Sequence, residues 1–80
     1  MDIKILGPGC VSCNRLEEMV RDILDKWGLE ADITHIHELD EIWRHGVTKT
    51  PALIINDKVM SQGRLPTLAQ VESWIRDQQK

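Results

Sequence analysis

Only two cysteines, Cys10 and Cys13, occur in the 80-residue chain, and two residues separate them. A disulfide stabilises mainly by closing a long loop of the unfolded chain, so a bridge across so short a segment constrains almost nothing. A chain this short buries only about 60% of its unfolded surface. It must therefore hold itself together with a thin apolar core and no covalent staple. That excludes a disulfide-framed secreted scaffold and leaves no space for a large internal cofactor. If the two thiols pair, they pair for chemistry.

Composition narrows the field further. Hydrophobic residues make up 41% of the chain, too many for a disordered segment. Ten Lys and Arg stand against 13 Asp and Glu, giving a net charge of −3, and no basic stripe exists, which argues against a nucleic-acid binder. No apolar run approaches the roughly 18 residues of a membrane span. Met1 leads straight into a strand-like segment, so no export signal is expected. The expectation is one cytoplasmic domain over residues 1–80, monomeric, with neither a nucleic acid nor a membrane as partner.

Hydrophobic periodicity supplies the elements. Residues 2–6 read as a short strand, broken by Gly7-Pro8-Gly9. A helix is expected from about Cys10 to Trp27, because Cys13, Leu16, Val20, Ile23, Leu24 and Trp27 fall at steps of three and four. Gly28 stops it. Residues 31–36 form a second strand, parallel to the first through a right-handed crossover. A short helix at about 39–45 turns Leu39, Ile42 and Trp43 inward, with His45 capping its C-terminal end. After Pro51, the unbroken run Ala52-Leu53-Ile54-Ile55 suits a central strand. Asn56-Asp57 turns a hairpin into Lys58–Gln62. Thr67 and Gln70 have capping-box spacing ahead of a last helix that buries Leu68, Val71, Trp74 and Ile75. The order is βαβαββα, an α/β fold with a four-stranded mixed sheet and helices on both faces.

The spacing of the cysteines has a chemical rationale. Cys10 falls at the mouth of the first helix and Cys13 one turn further in, on the same face. First-turn N–H groups lack intrahelical partners, and with the helix dipole they stabilise a thiolate at Cys10. Such a thiol drops from about 8.5 to roughly 3.5–7.5. Cys13, deeper and beside Leu16, stays protected. The pair is thus asymmetric, an exposed nucleophile and a buried resolving thiol. Inert structural cysteines would account for Cys13 but not for Cys10, which lies outside the apolar stripe.

These residues resemble the thioredoxin fold family. The likeness covers nearly the whole chain and rests on Gly9-Cys10-Val11-Ser12-Cys13, on Thr50-Pro51-Ala52 opening the third strand, and on the order of elements. It is greatest for the small, glutaredoxin-sized, redox-active disulfide proteins of archaea and bacteria. The resemblance implies a thiol–disulfide oxidoreductase that serves as an electron carrier. Cys10 is its attacking thiol, Cys13 its resolving thiol, and Pro51 a cis proline beside them. It further implies a substrate-binding rim of Gly9, Val11, Ser12, Thr50 and Pro51. Its partners are disulfide-containing proteins and a flavin- or ferredoxin-dependent reductase, with no bound cofactor besides the Cys10–Cys13 disulfide itself. Lys49 is the basic residue expected near the thiols as a modulator. Three departures stand out. Gly9 replaces the usual Trp before the first cysteine. Lys4 occupies the place of the family's buried aspartate, and is expected either on a sheet edge or near the site, where its charge would favour a thiolate. Ser61-Gln62-Gly63-Arg64 replaces the Gly-Gly of glutathione-binding relatives.

Other chemistry fits the same residues. Soft-metal carriers also place a Cys-x-x-Cys loop between a first strand and a first helix, and they bind copper through both thiolates. Their βαββαβ order ends on a strand, however, whereas this chain ends on a capped helix. His35 and His37 share one strand face, but their spacing from the cysteines fits no structural zinc pattern, so no metal site is expected. Trp27, Trp43 and Trp74 read as core bulk in a chain without Phe or Tyr.

Overall fold

The described residues form β1 (Asp2–Leu6), α1 (Val11–Trp27), β2 (Asp32–Ile36), α2 (Leu39–Arg44), β3 (Ala52–Ile55), β4 (Lys58–Gln62) and α3 (Leu68–Asp77). The structure is a computed structural model and describes residues 1–9 and 11–79. The strands lie in the order β2-β1-β3-β4. β1 runs parallel to β2 and antiparallel to β3, with Ile5 opposite His35 on one side and Leu53 on the other. β4 returns antiparallel to β3 through Asn56 and Asp57, at φ 50° and 67°. These are the left-handed conformations that a two-residue hairpin requires and that Asn and Asp tolerate better than most residues. The sheet is mixed and the class is α/β, as expected.

Successive side chains of a strand point to opposite faces, and the two central strands use both. Ile3 and Ile5 of β1 join Leu53 and Ile55 of β3 on one face. Leu16, Val20, Ile23 and Leu24 of α1 and Val71 and Ile75 of α3 cover them. Leu6, Ala52 and Ile54 face the other way, beneath Ile42 of α2 and Val47 of the following loop. Trp27 and Trp74 are half-buried at the margin of the larger core. Helix ends follow local chemistry. Beyond α1, the Leu29 N–H donates to the Leu24 carbonyl, with Gly28 at φ 65° between them. At α3 the reciprocal capping box of Thr67 and Gln70 is complete. His45 Nδ1 lies 2.8 Å from the Glu41 carbonyl at the end of α2.

Three side chains expected in the core lie outside it. Trp43 is 60% exposed, Leu39 55% and Leu68 50%. α2 is six residues long, so it offers about one inward position, and Ile42 fills it. Val47, not foreseen in the sequence, completes that core from an irregular segment. Leu68 is the first residue of α3, ahead of the inward pair Val71 and Ile75. Lys4 does not approach the candidate site, because its ammonium turns to Asp2 and to Asp57 at the hairpin tip.

This burial pattern makes a testable distinction within α2. Ile42→Ala will lower the unfolding free energy by about 2–5 kcal/mol. Trp43→Ala, the larger truncation, will change it by less than about 0.5 kcal/mol, as read from urea denaturation midpoints.

Candidate functional site

The carboxyl end of β1, the first turn of α1 and the entrance to β3 meet at one rim of the sheet. β1 ends where the Gly7 N–H donates to the Ile36 carbonyl at 2.9 Å. Gly7 is buried, and a Cβ built on it would lie 2.0 Å from the Cys13 Sγ and 3.8 Å from the Thr50 Cβ. Glycine is required there by close approach rather than by a left-handed φ. Gly9 does adopt a positive φ of 86°, which bends the chain towards α1.

Of the residues singled out in the sequence, Cys10 lies outside the described residues. Val11 opens α1 and is 86% exposed, while Ser12 is half-buried. Cys13, the third residue of α1, is fully buried and is not a free thiol. No acidic residue occupies the first turn of α1, so nothing there offsets the positive end of its dipole. The Thr50–Pro51 peptide bond is cis. Pro51 is buried and its carbonyl accepts from the Gly63 N–H at 3.0 Å. The β1–β3 ladder ends at Leu6–Ala52, so Thr50 lies just beyond the last paired residue. The structure brings Gly7, Cys13 and Thr50 together. It lays the exposed Lys49 along Gly63, 3.2 Å from where a Cβ there would stand.

A polar group beside α1 escaped the sequence reading. His35 Nδ1 lies 2.8 Å from Glu17 Oε1, and Arg21 Nε donates to Glu17 Oε2 at 3.0 Å. His37 stacks on His35 with ring centroids 4.1 Å apart. The period-two placement of the histidines marked them as sharing a face, but it did not indicate Glu17, 18 residues earlier, as their partner. Gly7 was also missed, because it reads as one of three strand-breaking residues. Among the described residues, no group of three or more His, Cys, Asp or Glu is placed to hold a metal ion.

The Arg21 hydrogen bond holds the Glu17 carboxyl below its ordinary value. Partial burial opposes this, and the His35 contact adds to it. A depressed carboxylate contributes stability that is complete above its unfolded value of about 4.3. That stability is lost as pH falls through the folded value. Glu17→Gln will therefore flatten the acid limb of a plot of urea midpoint against pH. Gly7→Ala will force a methyl group into the Cys13 sulfur. It will destabilise the fold by about 1–3 kcal/mol or more in the same denaturation measurement.

The sequence matches a family model described as a thioredoxin domain over residues 1–76. It is 31% identical over 72 residues to a thioredoxin of Methanothermobacter thermautotrophicus, covering 90% of this chain and 94% of that one. It is 27% identical over 74 residues to a thioredoxin of Methanocaldococcus jannaschii, covering 92% and 85%. The solved structure of thioredoxin 1 from Thermosipho africanus superposes over 100% of both chains, with a TM-score of 0.58 at 13% identity, a likeness of fold.

Proposed function

The chain belongs to the thioredoxin family, whose chemistry is thiol–disulfide exchange, and we propose that it is a small dithiol carrier reducing protein disulfides through Cys10 and Cys13. The observation that carries this reading is the seat of Cys13. Its sulfur is buried one turn into α1, pressed on Gly7 and next to Thr50. A sulfur so placed is shielded from solvent and is available to a neighbour three residues earlier in the chain.

The steps follow from the asymmetry. The Cys10 thiolate attacks a target disulfide, one sulfur of the target leaves as thiolate, and a mixed disulfide forms. Cys13 then attacks the Cys10 sulfur, and the second target sulfur leaves. The Cys10–Cys13 disulfide that results is returned to the dithiol by a flavin- or ferredoxin-dependent reductase. No other cofactor takes part. The extended target segment aligns along Thr50, whose position past the end of the ladder suits pairing by strand addition. Gly9, Val11, Ser12 and Pro51 form the rest of the rim. Exposed Val11 gives the target an apolar contact beside the thiols, and Lys49 lends positive charge nearby.

No helix among the described residues is long and apolar enough to cross a membrane, and we assign the carrier to the cytoplasm, where thiols are kept reduced. The copper-carrier alternative gains no support from the fold, which ends on α3 and not on a strand.

Cys10→Ser will abolish insulin-disulfide reduction. Cys13→Ser will accumulate mixed disulfides that dithiothreitol releases, visible on non-reducing gels. Full insulin reduction by Cys10→Ser would overturn the assignment.

A further inference from the structure

The mechanism above leaves one cluster of titratable groups unused. Glu17 follows Cys13 by four residues on α1, so the two lie along one side of the helix. Its carboxylate is held by Arg21 on one oxygen and faces His35 Nδ1 with the other. An ionised carboxylate only accepts, so His35 Nδ1 carries the hydrogen and Nε2 is the basic nitrogen of the neutral ring. That Nε2 is buried and has no hydrogen-bond partner among the described residues. The His37 ring lies flat on His35, 17° from parallel. His37 is itself exposed, and its Nδ1 is 3.8 Å from the position of a Cβ on Gly9. Gly9 is the residue that leads into Cys10.

We propose that Glu17, His35 and His37 form a proton-linked electrostatic partner of the redox pair, in which one proton shared by the stacked imidazoles offsets the thiolate formed at Cys10. The proposal rests on the reading of Cys10 as nucleophile. Two imidazolium rings at stacking distance repel, so the pair takes up a single positive charge, and the Glu17 carboxylate favours it. From α1, Glu17 reaches His35 and is itself held by Arg21, and Glu38 follows His37 along the chain. Among the described residues no other hydrogen bond or ion pair reaches either ring. Glu17 and His35 are positioning residues, and His37 is the solvent-accessible end of the array.

Protons and electrons balance without a further reactant. Ionisation of Cys10 releases a proton to solvent, and the array takes one up. When the thiolate attacks, its electron pair makes the new S–S bond. The target disulfide, as oxidant, breaks with one pair leaving on its departing sulfur. That sulfur is protonated as the array gives its proton up, through solvent, once the thiolate charge is gone.

The test is the rate of Cys10 alkylation by iodoacetamide against pH in the reduced protein, with the label located by mass spectrometry. Wild type is compared with His37→Gln, His37→Lys and Glu17→Gln, and each variant's urea midpoint is measured alongside. In wild type the rate profile is expected to carry an inflection that depends on the imidazoles, between about pH 5 and 8 where histidine changes charge. His37→Gln loses it and reacts up to about tenfold more slowly at pH 5.5, the factor for one unit of thiolate shift. Its rate rejoins that of wild type at alkaline pH. His37→Lys keeps the fast rate without the inflection, because its charge is fixed over this range. Glu17→Gln moves the inflection to lower pH, since the imidazoles lose their counter-charge. Superimposable profiles for wild type and His37→Gln would overturn the proposal. So would a slowing in His37→Gln that is the same at every pH, which is the mark of altered packing. Failure of Cys10 to react even in wild type would overturn the nucleophile reading beneath it.

Discussion

Burial of both faces of the β1–β3 pair holds this molecule together, because a chain of 80 residues has too little interior to leave either face of its central strands wet. Alternation along β1 sends Ile3 and Ile5 to one side and Leu6 to the other. Opposite them, β3 divides Leu53 and Ile55 from Ala52 and Ile54. Each face then needs a cover. α1 and α3 together cover the larger one, while α2 and Val47 close the smaller. No covalent bridge of useful loop length assists, so the strand pair and its covers carry the fold.

The same pairing builds the site. Because β1 and β3 are adjacent and antiparallel, the end of β1 and the start of β3 arrive at one rim, with α1 beginning above them. Cys13 can sit on the backbone there only because Gly7 has no side chain to exclude its sulfur. The cis Thr50–Pro51 peptide enters from the neighbouring strand. The rim therefore combines a buried sulfur, a helix start without offsetting acidic residues, and a backbone segment beyond the ladder. This is the rim on which the proposed dithiol exchange relies.

The element order was legible in the sequence because local rules govern it. The 3.6-residue stripe of α1 placed Leu16, Val20, Ile23 and Leu24 in the core. The unbroken apolar run 52–55 marked a strand buried on both faces, and Thr67 and Gln70 marked a helix start. Side-chain burial in the short helix was not legible. Leu39, Ile42 and Trp43 are all apolar, and only the width of the surface beneath α2 decides that Ile42 alone is needed. Lys4 misled for a related reason, since its place in the strand said nothing about the carboxylates of Asp2 and Asp57 that draw its ammonium away from the site.

By itself the sequence determined the βαβαββα order, and it placed a Cys-x-x-Cys spacing ahead of the apolar stripe of α1, on which the proposed chemistry rests. Both depend on residues within a turn or two of one another. Only the tertiary structure decided that Gly7 is the floor beneath Cys13, that Thr50 stands beside that floor, and that Glu17 meets His35 with His37 stacked against it. Those contacts join residues as far as 43 positions apart, Gly7 to Thr50. They are fixed by strand order and register, which no local periodicity encodes.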